Sequence, residues 1–110
     1  MPQNKQRDIF PGALEMMILQ SLRAKPMHGY ALVQHIQQRS EDLLNVEEGS
    51  LYPALQRMLK SGWVEATWGV SATNRKVRNY SITEEGESHL ADQISRFETM
   101  LRGIQLVLST

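Results

Sequence analysis

The chain has 110 residues, room for one hydrophobic core, since a domain of this size buries about 65% of the surface its unfolded chain exposes. Hydrophobic residues make up 41% and charged residues 22%, which excludes the disordered, collagen-like and purely coiled-coil classes, and the lack of cysteine excludes disulfides and thiolate zinc sites. Lys plus Arg balance Asp plus Glu at 12 each, yet residues 49–82 carry five basic side chains against Glu65 alone, while residues 83–110 carry two against five acidic ones.

The opening MPQNKQRDIF lacks the apolar core of a signal peptide, and no apolar run nears the roughly 18 residues that span a bilayer. A flexible arm over residues 1–10, cytoplasmic residence and no membrane partner are therefore expected. From Pro11 to about Ala24, Leu14, Met17, Ile18 and Leu22 keep helical spacing, and Lys25-Pro26 ends the pattern. A second helix opens near His28-Gly29, turns Leu32, Val33 and Ile36 inward and frays at Arg39-Ser40. Leu43 and Leu44 are expected to plug the core before the turn at residues 45–49.

The stretch GSLYPALQRMLKSG then poses a question, because helical spacing continues through Leu51, Leu55, Met58 and Leu59 across Pro53. With Ser50 as the cap, Pro53 is the third helical residue, where a missing amide removes no hydrogen bond. The helix runs to Lys60 or Ser61 and stops at Gly62. Glu47 and Glu48 just before it suit a helix start, though they would also repel phosphate.

Beyond Gly62 the period becomes two. Val64, Ala66 and Trp68, then Arg78, Tyr80 and Ile82, read as two antiparallel strands joined by the long polar loop GVSATNRK. Thr83 caps a final helix with Glu84 and Glu85 in its first turn. Its apolar residues, Leu90, Ile94, Phe97, Leu101, Ile104 and Leu108, advance by four, three, four, three and four, the repeat of a coiled-coil seam. A second copy of the chain is the favoured partner for that seam, with folding back onto its own domain as the alternative.

Helix, helix, helix, strand, strand, helix is the order of a winged helix-turn-helix, a mainly α fold with a small β-hairpin: a binding domain at residues 11–82 and a dimerisation helix at 83–110. The chain resembles the PadR-like transcriptional regulators of bacteria, in the short form with one C-terminal helix. The resemblance rests on His28-Gly29-Tyr30, on Gly49-Ser50-Leu51-Tyr52-Pro53-Ala54-Leu55, on Gly62-Trp63-Val64-Glu65, and on Tyr80 and Ile82 followed by Thr83-Glu84-Glu85-Gly86. Relatives often carry a denser basic run in the wing than Arg75, Lys76 and Arg78 here.

A reading helix in a major groove needs donors on its exposed face. Ser50, Pro53, Arg57 and Lys60 follow one face with Tyr52 and Gln56 beside them, and Gln56 suits adenine as Arg57 suits guanine. Asn74, Arg75, Lys76 and Arg78 are expected at the DNA backbone or minor groove. Tyr30 and His28 are candidates for phosphate contact; a buried ring competes for Tyr30, and plain exposure is favoured for His28. No HExxH, GxGxxG or phosphate loop is present, so neither an enzyme nor a metal or other cofactor is expected, and His28 and His35 read as surface residues. The resemblance implies a homodimeric regulator on double-stranded DNA, a repressor at a palindrome, released by a small aromatic or hydrophobic inducer. Met16, Phe97 and Met100 are weak candidates for lining the inducer site. The alternative is a winged helix that binds an acidic protein partner.

Overall fold

The computed structural model describes residues 12–110; the arm expected over residues 1–10 lies outside the described residues. In chain order the elements are α1 (Ala13–Ala24), β1 (Met27–His28), α2 (Gly29–Arg39), α3 (Glu48–Lys60), β2 (Val64–Val70), β3 (Lys76–Ile82) and α4 (Glu84–Leu108). Both β-strand pairings are antiparallel, and β3 lies between β1 and β2. The core draws Ile18, Leu19 and Leu22 from α1, Leu32 and Ile36 from α2, and Leu51, Ala54, Leu55 and Met58 from α3, closed by Val64 and Tyr80 of the hairpin and Leu90 of α4. The periodicity selects most of these positions but not Leu19 or Ala54, and of those it selects, Leu14, Met17, Val33, Leu59 and Ala66 are only partly buried and Trp68 is exposed.

Before α4, four features depart from the sequence reading. The β1 strand pairs Met27 with Tyr80 and His28 with Asn79, and at two residues it is too short to show a period. The loop of the hairpin is shorter than expected, because Gly69, Val70 and Lys76 belong to the strands. Asn74 turns the chain at φ 62°, and Ser71 accepts from Asn74 and donates its amide to the Arg75 carbonyl. Leu43 does not plug the core: Glu41 and Asp42 both take left-handed conformations, at φ 54° and 65°, and the chain that follows leaves Leu43 84% exposed. Val46 is buried instead, with Leu44 only partly so.

The fourth departure concerns α3. Its cap is Glu47, not Ser50, and Ser50 and Leu51 both donate their amides to the Glu47 carbonyl. Pro53 therefore lies six residues into the helix, counting from Glu48, and leaves the Gly49 carbonyl without the usual bond from four residues on. The Ser50 hydroxyl is enclosed without a partner among the described residues, so it neither caps the helix nor faces outward.

The ends of α3 and the start of α4 meet at a tight junction. Gly62, at φ 78°, ends α3, and the Thr83 hydroxyl donates to its carbonyl at 2.6 Å while accepting from the Gly86 amide at 3.0 Å. The Thr83 amide bonds the Trp63 carbonyl at 3.0 Å, and the His89 ring stacks on Trp63 with centroids 3.6 Å apart. A side chain on Gly86 would collide with the Trp63 carbonyl oxygen, so only glycine allows this approach.

The α4 stripe divides. Leu90 is buried in the core of its own chain, which corrects its assignment to an intermolecular seam, and Ile94 packs on that core. Beyond half-buried Phe97 every residue of α4 is exposed, Leu101, Ile104 and Leu108 included. One small core covers the first half of so long a stripe and runs out before the second.

Candidate nucleic-acid interface

At 100° per residue, the buried side of α3 is Leu51, Ala54, Leu55 and Met58, and the middle of the opposite side is Pro53, Gln56 and Lys60. Tyr52 and Arg57 leave on opposite flanks. Tyr52 leans on α2, its ring so close to Gly29 that a Cβ there would meet it at 2.6–2.7 Å. Arg57 leans on α1, where its Nη2 lies 3.2 Å from Glu15 Oε2. The Arg57 side chain is 60% exposed, on the open face, and held from the side by that pair. The two outward donors at the centre are Gln56 and Lys60.

The start of α2, Tyr52 and the inner edge of β3 enclose an open groove of about 820 Å³. It brings together His28, Tyr30, Tyr52, Arg75, Lys76 and Arg78, six residues that the sequence reading singled out from three separate segments. Asn74 lies at the hairpin turn beside them but does not line the groove. Tyr30 is 55% exposed, so the buried-ring reading is set aside. His28 is half-buried, and its Nδ1 accepts from the Ala31 amide at 3.3 Å, which caps α2 and leaves the ring at the groove edge. Burial, then the nearby Glu48 carboxylate and Tyr80, push the Tyr52 hydroxyl above its ordinary range. Gln34, Ser71 and Thr73 also line the groove and were not foreseen. Gln34 was accessible to sequence reasoning, being one helical turn beyond Tyr30.

Three faces of cation, phenol and amide donors around a concave edge, with no carboxylate among the described residues that line it, make a surface suited to a polyanion. Met16, Phe97 and Met100 do share a site, a crevice of about 180 Å³ between α1 and α4 that Gln93 and Arg96 complete. No helix of the described residues is long and apolar enough to cross a membrane.

An uncharacterized protein of Lysinibacillus sphaericus is 29% identical over 101 residues, 92% of this chain and 93% of that one. Among solved structures, a transcriptional regulator from Clostridium thermocellum superposes with a TM-score of 0.81 at 26% identity, covering 89% of this chain and 92% of the other. A PadR-like transcriptional regulator from Bacillus cereus gives 0.79 at 27% identity, covering 94% and 98%. Bacillus subtilis PadR in complex with operator DNA shares the fold, with a TM-score of 0.66 at 21% identity over 74% of this chain and 46% of that one. Residues 18–92 match the transcriptional regulator PadR-like family, a family of regulators and not of enzymes, and the chain belongs to it.

Proposed function

We propose that the protein binds a palindromic operator as a homodimer and acts there as a repressor, in the cytoplasm. The observation that carries this reading is the groove that joins His28, Tyr30 and Tyr52 to Arg75, Lys76 and Arg78. In this reading α3 enters the major groove with Gln56 and Lys60 foremost, and the hairpin cations meet the phosphates of the adjoining strand. The exposed Leu101, Ile104 and Leu108 pair with the same residues of a second copy, which sets two reading helices about 34 Å apart, one helical turn of duplex. That a solved member of the fold holds operator DNA supports the same use here.

A small aromatic or hydrophobic inducer fits this scheme at the Met16, Phe97 and Met100 crevice. At about 180 Å³ the crevice is smaller than most ligand sites, so a second α4 would have to complete it. The test is selection of bound duplexes from a random pool with purified protein. An enriched palindrome supports the reading, and failure to enrich any sequence at low salt overturns it.

A further inference from the structure

Trp68 has no part in the core or in the groove, yet it is a large ring standing 64% exposed on the hairpin. The strand register sets it opposite Arg78, with Val70 opposite Lys76 one step nearer the tip. Alternation puts these four on one face of the hairpin, the face that carries Val64 and Tyr80 into the core at its root. The patch therefore continues the inner side of the hairpin outward. Lys76 Nζ stands 4.9 Å from the Trp68 ring centroid and Arg78 Cζ 5.9 Å, both within cation–π range. Lys76 and Arg78 also line the groove, so the indole borders it through the two cations that it holds.

An apolar plate flanked by two cations matches a sugar–phosphate strand, in which apolar deoxyribose alternates with anionic phosphate. We propose that Trp68 is a DNA contact: its ring covers a deoxyribose of the strand that passes the hairpin, while Lys76 and Arg78 take the neighbouring phosphates. This rests on the DNA-binding reading above. A ring on a sugar reads no base, so it contributes affinity to every duplex alike.

The test compares wild type, W68A, W68F and K76A on a selected operator and a scrambled duplex across a salt series, with circular dichroism to establish folding. W68A should weaken both duplexes about tenfold and leave the salt slope unchanged, W68F should retain most of the affinity, and K76A should flatten the slope by about 0.9. In a W63F background, Trp68 is the sole tryptophan, and its emission should change when duplex is added. Wild-type affinity in W68A, a slope that falls as in K76A, or an emission indifferent to duplex each overturns the assignment, the second by making the ring a mere holder of the cations. A wild type that binds no duplex overturns the DNA reading itself.

Discussion

Tyr52 and Arg57 leave α3 on opposite flanks, and their neighbours decide what each can do. Because the fold favours the neutral phenol of Tyr52, its contribution to stability is complete below the ordinary tyrosine value of 10.0 and is lost as pH rises through the higher value of the folded state. Thermal midpoints should thus fall more steeply in wild type than in Y52F as pH rises from 10.0 to the higher value of the folded state; parallel curves would show that burial of the hydroxyl has no energetic effect. At the centre of the face, Q56A should relax choice at one base pair and cost about 1–3 kcal/mol of discrimination, measured by competition between operator variants. R57A should relax it less, since Glu15 already occupies the guanidinium. The loss of that exposed pair should change stability by less than about 1 kcal/mol. The candidates Gln56 and Lys60 were legible in the sequence because their helix repeats every three to four residues. The Arg57–Glu15 pair was not, because 42 residues separate its members and no local pattern records the approach of α1 to α3.

At the scale of elements, capping chemistry predicts two helix starts and gets one right. Thr83 caps α4 with its hydroxyl, as its position before Glu84 and Glu85 suggests. Ser50 is by composition a better cap than Glu47, yet the helix begins before it: the Glu47 carbonyl takes the Ser50 and Leu51 amides, so backbone bonding one turn earlier overrides the preference of one side chain. The misplacement of Leu43 has a similar origin: hydrophobicity says that a leucine prefers to be buried, but two left-handed residues upstream determine where it points. The α3–α4 junction gives a paired prediction. G86A should destabilise by about 1–3 kcal/mol, because the obstacle is backbone, the Trp63 carbonyl, and cannot swing aside. G103A meets nothing within 4 Å and should stabilise α4 by about 0.5–1 kcal/mol. Urea unfolding of the two variants should move in opposite directions, and a shared direction would mean that the helix is not a continuous rod through Gly103.

For the whole molecule, the half of α4 beyond Phe97 stands clear of its own domain and presents Leu101, Ile104 and Leu108 to solvent. The double variant L101D/I104D should leave the winged domain folded and convert a species near twice 12.6 kDa to one near 12.6 kDa in solution; a wild type already at the lower mass refutes the seam. Its apparent affinity for a palindrome should fall far more than its affinity for a single half-site, because one copy reaches only one half.

The weld at Gly62, Thr83 and Gly86 gives the long helix a mechanical meaning. With 25 residues, α4 is about 37 Å long, and the bonds at that junction tie its root to the end of α3. A tilt of about 5° at the crossing of two such rods would carry their far ends about 3 Å, comparable to the rise of one base pair. The proposed dimer would then work as a caliper: whatever sets the angle between its arms would set the gap between its jaws, and duplex DNA, with its fixed pitch, would accept only one setting.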